Sequence, residues 1–470
     1  MADTAGTGVN LDLDLPEGLG RRAGLETALR DAIRGGRLAP GTRIPSSRAL
    51  AHQLAMSRGT VAAAYAQLVE EGYLSAAQGS GTVVERLPDR PSAVSAVNAA
   101  ERDLLSLRPG VPDVTRFPVT AWLRSSRKAL TSAGPRVFDY GHPLGVPALR
   151  EAISDYLGRT RGVDTTPDTT VITSGTIHST FVLGSVLRRR GTRRVAVEEP
   201  MWSLQRDVLA TCGLEVVPLP VDSHGARTDL LASGDLGQVG AVVVTPAHQF
   251  PTGVIMSASR RRHLLGWATS TGGIVLEDDY DGEFRFGRSP LGTVQGLGPN
   301  QVIYLGSASK ALAPALRLGW MVLPPEWVPD VQAVRVATDL HTDVLTQLTL
   351  AEFLASDGYD AAVRSARLAY QRRRATLTSA LQDSGLSRRG FVLEGRPAGL
   401  HVLLTLPAGT DERAVYERAR AEGLRLWGVR SSYLDPDNAR PGLVIGYAAP
   451  AERDYRRALD LLLRILEQVC

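Results

Sequence analysis

Residues 86–103 divide the chain into two parts of unequal length, and this division constrains the fold more than any other feature. The segment carries Pro88 and Pro91, small residues and no apolar period, which predicts a mobile linker or, alternatively, an irregular surface loop. A chain of 470 residues is also too long for a single core. We therefore expect one domain at residues 1–85, a linker at 86–103 and a second domain at 104–470.

The bulk composition excludes several classes of protein. The net charge of +4 gives no global basic field, although eight arginines and only two acids lie between Gly20 and Thr60. Two cysteines provide neither a disulfide framework nor a metal cluster, so we expect a cytoplasmic protein without a metal. We see no signal peptide and no apolar run of membrane-spanning length, so no membrane association is expected.

The short N-terminal part has the pattern of three helices and a hairpin. An apolar stripe from Leu25 to Ile33 predicts the first helix. Ser46 or Ser47 caps the predicted second helix, and Ser57 caps the third. Residues 74–84 read as a hairpin with glycines at its tip. Two closely spaced helices of this kind are typical of a helix-turn-helix, although a protein-interaction module fits the same stripes.

A helix-turn-helix places the N-terminus of its second helix in the major groove of double-stranded DNA. Arg58 is then positioned to read guanine, with Arg48 facing the same side. Hydroxyl groups and backbone N–H groups at the helix starts are suited to phosphates, and a glycine tip permits close approach to the DNA backbone. The candidate DNA-binding residues are Ser46, Arg48, Ser57, Arg58, Gly59, Thr60, Gly79, Ser80 and Gly81.

Residues 24–84 resemble the winged helix-turn-helix of GntR-type bacterial regulators. The resemblance rests on four pieces, which are Gly36-Arg37-Leu38-Ala39-Pro40-Gly41, Ile44-Pro45-Ser46-Ser47-Arg48, Ser57-Arg58-Gly59-Thr60-Val61 and Glu71-Gly72-Tyr73-Leu74. It implies an α+β winged-helix fold and DNA binding.

Lys310 is one of only two lysines among 53 basic residues, the other being Lys128. Arginine replaces lysine as a cation but cannot form an imine with an aldehyde, because its guanidinium stays protonated. A lysine retained in so arginine-rich a chain therefore indicates Schiff-base chemistry, against the alternative of a surface lysine retained by chance. We assign the chance alternative to Lys128.

The long part alternates β-rich runs with helical stretches, which predicts an α/β domain with a mostly parallel sheet. The predicted strands include Val195–Val197, Ala241–Val244, Ile274–Leu276 and Val302–Leu305. Ligands of such sheets bind at the carboxyl ends of the strands, and most polar motifs of this part fall there.

These motifs supply the groups that a flat, phosphorylated aldehyde needs. Ser174-Gly175-Thr176 forms an anion cradle or an ordinary turn. Asp278 and Tyr280 project to the same side at the end of a predicted strand, which is alternatively a metal-ligand site or a solvated acidic strand end. Ser307, Lys310 and Arg317 supply a hydroxyl, an amine and a cation. Two further residues are ambiguous, because Trp202 suits a stacking ring or the core, and His248 suits a ligand contact or a plain turn.

Together these residues describe a pyridoxal 5′-phosphate pocket, and residues 104–470 resemble fold-type I aminotransferases. The resemblance implies that Lys310 forms the Schiff base, while Asp278 keeps the pyridine nitrogen protonated and Tyr280 binds the 3′-oxygen. It also implies a homodimer in which Tyr140 reaches the partner's phosphate. The remaining implied cofactor contacts are Ser174, Gly175, Thr176, Trp202, His248, Ser307, Ser309 and Arg317.

A GntR-type head joined to an aminotransferase-like body is the layout of the MocR subfamily. Residues 245–253 and 277–285 resemble that subfamily rather than metabolic transaminases. Their sequence is similar to that of PdxR-like regulators of pyridoxal phosphate synthesis. The sequence departs from this subfamily at two places, and both could alter which small-molecule effector binds. Regulators of this type often have glutamines after the glycine, where this chain has Gly175-Thr176-Ile177-His178. They commonly have a tyrosine where this chain has Trp202.

The resemblance also implies an arginine near the C-terminus that binds the carboxylate of a substrate or effector. Arg430 is the candidate, Arg440 is the alternative, and a surface arginine is equally compatible with the pattern. An inward Arg430 favours an amino-acid effector, whereas an outward Arg430 favours the cofactor itself as the signal.

We therefore expect a transcriptional regulator that senses pyridoxal phosphate, or an amine that reacts at Lys310, and changes its promoter binding. The implied assembly is a head-to-tail, domain-swapped homodimer, and the implied genes belong to vitamin B6 or amino-acid metabolism. An active aminotransferase with an accessory DNA-binding domain is the alternative, and weak half-transamination is compatible with either. A winged-helix interaction module on an inactive body is a third reading.

Overall fold

The protein is described by a computed structural model covering residues 11, 13–16, 18–77, 81–87, 104–287 and 292–469. The chain divides into two compact units, residues 1–99 and 100–470. The boundary between these units falls inside the segment 86–103, most of which lies outside the described residues. Each unit has its own hydrophobic core.

The smaller unit contains three helices and a three-stranded antiparallel sheet of order β1-β3-β2. Its elements are α1 (Arg21–Arg34), β1 (Arg43–Ile44), α2 (Ser47–Gln53), α3 (Arg58–Glu70), β2 (Leu74–Ala77) and β3 (Gly81–Val84). The predicted helices and hairpin, and with them the winged helix-turn-helix fold, are confirmed. Strand β1 was missed, because two residues are too few to show a period.

The apolar stripes of the three helices converge on one core. Leu25, Leu29, Leu50, Val61 and Leu68 are all fully buried there. Burial of such side chains stabilises a fold by about 1.5–3 kcal/mol each, which explains why three short helices hold together.

Side-chain caps fix the starts of the second and third helices. Ser46, rather than Ser47, caps α2 by accepting a hydrogen bond from the N–H of Ala49. Ser57 caps α3 by accepting one from the N–H of Thr60 at 3.0 Å. These caps satisfy N–H groups that would otherwise lack a partner. Of the predicted glycine tip, Gly81 begins β3, whereas Gly79 and Ser80 lie outside the described residues.

The larger unit is built on an eight-stranded sheet of order β5-β12-β11-β10-β9-β6-β7-β8. After a short strand β4 (Leu105–Ser106), its strands are β5 (Thr170–Thr173), β6 (Arg194–Glu199), β7 (Glu215–Asp222), β8 (Gly225–Ala226), β9 (Ala241–Val244), β10 (Ile274–Asp278), β11 (Val302–Ser307) and β12 (Gly319–Val322). Strands β7, β6, β9, β10 and β11 are parallel, and β12 runs antiparallel between β11 and β5. The predicted mostly parallel sheet is confirmed.

A smaller antiparallel sheet of order β13-β14-β16 lies toward the C-terminus, and β15 pairs in parallel with β4. These strands are β13 (Val392–Leu393), β14 (Val402–Thr405), β15 (Leu424–Arg425) and β16 (Gly442–Ile445). The helices of this unit are α4 (Val119–Ser132), α5 (Pro147–Arg161), α6 (Thr176–Arg189), α7 (Ser203–Thr211), α8 (Ala258–Thr271), α9 (Val328–Thr338), α10 (Val344–Ala355), α11 (Gly358–Asp383), α12 (Glu412–Ala421) and α13 (Glu452–Val469).

The central strands are buried on both faces, which is why they read as continuous apolar runs. Parallel pairing brings the carboxyl ends of β6, β9, β10 and β11 to one edge of the sheet, where their following loops can share a ligand. No helix among the described residues is long and apolar enough to cross a membrane.

Candidate functional site

One cavity of about 300 Å³ lies at this edge of the sheet and collects most of the predicted cofactor residues. Residues from the loops after β5, β6, β10 and β11 contribute to its lining. The predicted residues found there are Gly175, Thr176, Trp202, Asp278, Tyr280, Ser307, Ser309, Lys310 and Arg317.

Lys310 lies just beyond β11, with its amine inside the cavity. Its Nζ donates a hydrogen bond of 2.6 Å to the carbonyl oxygen of Gly110. Burial lowers the pKa of Lys310, and the charge of Arg108 acts in the same direction, whereas Asp278 and Asp281 raise it. A lowered pKa increases the fraction of the neutral amine, which is the nucleophilic form.

Asp278 ends β10 and is 5% exposed. Burial raises the pKa of this carboxyl group to about 7, while the charge of Lys310 and a hydrogen bond from Gln205 oppose that rise. Its Oδ1 atom is buried without a hydrogen-bond partner among the described residues. Such an oxygen is costly unless a ligand satisfies it, and a protonated pyridine nitrogen is a suitable donor.

Gly175, Thr176 and Arg317 form an anion cradle. Helix α6 starts at Thr176, so its unpaired N–H groups and positive dipole end face the cavity. Gly175 has φ 101°, a conformation that favours glycine, and a Cβ there would lie 3.7 Å from Nη1 of Arg317. Arg317 itself adopts φ 51°, which is unusual for a side-chain-bearing residue and is characteristic of functional sites.

Tyr280 lines the cavity, and its hydroxyl group donates a 2.9 Å hydrogen bond to the carbonyl oxygen of His248. His248 lies behind this ring rather than in the cavity lining, and its Nδ1 is 2.9 Å from Oδ2 of Asp281. His248 is therefore not a lining residue of the cofactor cavity. Its side chain contacts Asp281 and His401 and lies next to Tyr280, which does line the cavity.

Two other predicted cofactor contacts also lie outside the cavity lining. The N–H of Ser174 donates to Nδ1 of His178, so this backbone group is already used. Tyr140 is 82% exposed, and its ring lies 6.3 Å from that of His341. Within one chain Tyr140 does not reach the cradle, so the contact predicted for it requires a second chain.

Arg430 does not line the cofactor cavity, which agrees with the alternative of a surface arginine rather than with an inward residue. Its guanidinium pairs with Asp437 at 2.8 Å and belongs to a neighbouring cavity. The alternative, Arg440, lines a third cavity. The three-residue helical turn that contains Asp437 supplies a nearby acid, which local sequence reasoning did not consider.

Several residues of the cavity were missed by the sequence analysis. They are Arg108, Gly110, Glu198, Gln205 and Trp427. Glu198 follows the predicted run Val195–Val197 and was detectable as a strand-end acid. Arg108 and Trp427 were not detectable, because they reach the cavity through the pairing of β4 with β15, which are far apart in the chain.

In the smaller unit the predicted DNA-binding residues lie at two exposed helix starts. Arg48 is in the first turn of α2, and Arg58 begins α3, and both side chains are solvent-exposed. No described carboxylate forms an ion pair with either arginine, in contrast to Arg22 and Arg30 of α1. Their charges are therefore available to a polyanion.

The residues of the cavity fit pyridoxal phosphate. The partnerless Oδ1 of Asp278 matches a pyridinium, and the cradle of α6 with Arg317 matches a phosphate. The primary amine of Lys310 at the cavity matches an aldehyde. When bound, this cofactor acts as an electron sink for amines.

Comparison with known families agrees with both units. Residues 22–84 match the family described as bacterial regulatory proteins, gntR family, and residues 102–441 match aminotransferase class I and II. The second match covers more than half of the chain.

Three bacterial regulators match this chain over most of its length and of their own. The HTH-type pyridoxine biosynthesis transcriptional regulator PdxR of Corynebacterium glutamicum is 31% identical, over 93% of each chain. The probable rhizopine catabolism regulatory protein MocR of Rhizobium meliloti is 29% identical, over 92% of this chain and 91% of that one. TauR of Rhodobacter capsulatus is 33% identical, over 88% and 90%. The chain belongs to the MocR-type transcriptional regulators.

The body of this MocR-type regulator resembles solved aminotransferases. A kynurenine aminotransferase from Pyrococcus horikoshii superposes with a TM-score of 0.70 at 25% identity, covering 78% of this chain and 91% of that one. The fold-type I aminotransferase fold and its cofactor, pyridoxal 5′-phosphate, are thus confirmed for the MocR-type body.

Lys310→Ala is expected to abolish the visible absorption band of lysine-bound pyridoxal phosphate, because no other amine of the cavity can react with the aldehyde. Borohydride reduction followed by peptide mapping gives the second measurement, with the label expected at residue 310. Lys128→Ala is the matched control, since this lysine is 69% exposed and pairs with Glu352. Label at Lys128 in the wild-type protein would contradict the assignment.

Glu198→Gln is expected to flatten the dependence of stability on pH. Burial raises the pKa of Glu198 from its ordinary value near 4.5 to about 7, so the folded protein keeps a proton that the unfolded chain has released. The contribution of Glu198 to the free energy of unfolding is therefore complete below about pH 4.5, and it is lost as the pH rises through about 7. Its removal should reduce the slope by up to about 1.4 kcal/mol per pH unit.

The measurement for Glu198→Gln is the melting temperature of the cofactor-free protein from pH 4.5 to 8. Glutamine keeps an oxygen for the hydrogen bonds from Thr245 and Gln249. Glu151→Gln, at an exposed position of α5, should leave the slope unchanged. An unaltered slope in Glu198→Gln would show that this group is ionised in the fold.

Proposed function

We propose that this protein is a pyridoxal phosphate-dependent regulator whose promoter binding responds to the state of the Lys310 pocket. The observation that carries the proposal is that one chain has two features. Its smaller unit has exposed cationic helix starts, and its larger unit has a cavity lined by both Lys310 and Asp278. The sensed compound is pyridoxal phosphate itself or an amino compound that reaches the amine of Lys310.

The head supplies the groups needed to bind double-stranded DNA. The N-terminus of α3 carries Arg58 and Gly59, which are exposed, and the hydroxyl groups of Ser57 and Thr60 lie 2.8 Å apart beside them. A helix start of this kind enters the major groove, where arginine binds guanine with two hydrogen bonds. Arg48 and the N–H groups of α2 are placed to bind the phosphates.

The body supplies the sensor. We assign the phosphate to Gly175, Thr176, Ser307, Ser309 and Arg317, which surround the start of α6. We assign the ring nitrogen to Asp278, whose Oδ1 atom is buried without a partner among the described residues. Trp202 would stack against the ring, and the hydroxyl group of Tyr280, which now donates to the carbonyl oxygen of His248, would be available to the 3′-oxygen.

We propose that the regulator is a homodimer with head-to-tail exchange of domains. Tyr140 is 82% exposed and so is free to reach the cradle of a second chain. Exposed apolar side chains in the same region, Leu123 and Phe138 among them, have the character of a subunit interface. Two heads then bind repeated half-sites, whose separation depends on the linkers.

The regulated genes are proposed to belong to vitamin B6 or amino-acid metabolism. The relatives PdxR and MocR carry names that refer to pyridoxine biosynthesis and rhizopine catabolism. A DNA-binding protein without a disulfide among its described residues is suited to the bacterial cytoplasm, where we place it. Residues 1–85 would form the DNA-binding domain, and residues 104–470 would form the domain that binds the cofactor and the effector.

Arg58→Ala is expected to weaken specific promoter binding by about 1–3 kcal/mol, because a bidentate contact with guanine would be lost. The measurement is a fluorescence anisotropy titration with the upstream region of the protein's own gene, at several salt concentrations. Arg22→Ala, whose arginine pairs with Glu26 at 2.7 Å, is the control. Equal affinities and salt slopes for wild type and Arg58→Ala would remove Arg58 from the interface.

The central experiment compares DNA binding with and without pyridoxal phosphate. The wild-type protein should change its promoter affinity about 5–150-fold, the usual range of coupling between two sites. Lys310→Ala should lose that response while it keeps one fixed affinity. Steady-state transamination, with promoter binding indifferent to the cofactor, would instead support an aminotransferase with an accessory domain.

A further inference from the structure

Arg108 occupies a rigid position at the wall of the cofactor cavity. Strand β4 pairs with β15, and the N–H of Leu107 donates to the carbonyl oxygen of Arg425 at 3.0 Å. The N–H of Gly446 donates to the carbonyl oxygen of Leu107 at 2.7 Å. A Cβ at Gly446 would lie 2.8 Å from the nitrogen of Pro109, so the two backbones are in direct contact. The start of the Arg108 side chain is therefore fixed.

The Arg108 guanidinium is held at the cavity without a carboxylate partner. It lies 5.5 Å from the centre of the Trp427 ring, a cation–π contact that orients it without neutralising it. Within the described parts of the chain, no acid forms an ion pair with Arg108. The Nε1 atom of Trp427 is also buried and has no hydrogen-bond partner there. Among the described residues, an exposed guanidinium without a carboxylate partner and a buried indole N–H without an acceptor thus line the same cavity.

Arg108 and Lys310 lie at the same cavity. The Lys310 amine donates to the carbonyl oxygen of Gly110, two residues beyond Arg108. The charge of Arg108 is also one of those that reach Lys310 and lower its pKa. A small molecule with an amino group and an anionic group can therefore contact both side chains at once.

We propose that Arg108, assisted by the indole N–H of Trp427, binds the carboxylate of an amino-acid effector whose amino group faces Lys310. The inference rests on the proposed function and names the chemical class of its effector. It replaces Arg430 as the carboxylate-binding residue. Arg430 already has an acid partner in Asp437, and its cavity meets the cofactor cavity only through shared lining residues, which are Arg108 and Trp427.

The chemistry of the pair favours a carboxylate over other anions. Arginine binds carboxylates and phosphates with two parallel hydrogen bonds, but the phosphate of the cofactor has its own cradle at Arg317 and α6. An effector without the carboxylate charge should therefore lose only the part of its binding free energy that Arg108 supplies. An amino acid and its primary amide have nearly the same shape but differ in that charge and in the basicity of the amino group, so each compound is compared between wild type and variant.

The test uses the full-length protein loaded with pyridoxal phosphate. Each of the common L-amino acids is titrated while the visible band is followed, and the compound active at the lowest concentration is compared with its primary amide. Arg108→Gln should raise the half-saturating concentration of the amino acid at least about tenfold, as expected for loss of a charge-assisted hydrogen bond. The response to the amide should change little, and Arg108→Lys should restore part of the affinity.

Two further variants separate this inference from its competitors. Arg413→Gln is the control, because this arginine lies in the neighbouring cavity but is 84% exposed and pairs with Glu417. Its titration should match that of the wild type. A loss in Arg430→Gln with none in Arg108→Gln would overturn the inference and restore Arg430.

The failure of the inference is distinguishable from the failure of the proposed function. An intact visible band with equal amino-acid responses in wild type and Arg108→Gln overturns the inference alone. An intact band that no amino acid alters has the same consequence. The absence of the band from the wild-type protein removes the proposed function, and the inference with it.

Discussion

The placement of an amine and a carboxyl group in one buried cavity is the constraint on which the cofactor site depends. Burial acts on the two groups in opposite directions, lowering the pKa of Lys310 and raising that of Asp278 to about 7, while their mutual attraction opposes both shifts. Burial thus favours the neutral form of each group, and the attraction between their charged forms limits that effect. The sheet imposes this arrangement, because β10 and β11 end side by side.

The features that the sequence predicted correctly are those written in local patterns. Apolar runs identified β9, β10 and β11, helical stripes identified α1 and α3, and the retained lysine singled out residue 310. Strand ends of a parallel sheet converge, so the polar residues after each run were expected to meet, and nine of them line one cavity. The separate motifs do not show that these residues are close in space, but the rule for parallel sheets does.

The features that escaped prediction depend on contacts between distant segments. Arg108 was hidden beside the linker, and it reaches the cavity only because β4 pairs with β15, more than 300 residues later. For Arg430 the sequence left an inward and a surface position open, and the side chain pairs with Asp437 outside the cofactor cavity. For His248 it left a ligand contact and a plain turn open, and Nδ1 of His248 lies 2.9 Å from Oδ2 of Asp281. Each of these positions depends on the partner of a charged or polar side chain, which a local pattern does not reveal.

A regulator needs much less from this pocket than an enzyme does. Turnover requires a transition state to be stabilised by many kcal/mol, whereas a change in promoter occupancy requires only about 1–3 kcal/mol of coupling between two sites. A cation that binds one carboxylate, together with an amine that binds one aldehyde, supplies differential contacts of that size. A ligand equally compatible with both arrangements of the protein would shift nothing, however tightly it bound. For the function proposed above, the decisive property of the Lys310 pocket is therefore the difference in its contacts between the states that bind and release DNA.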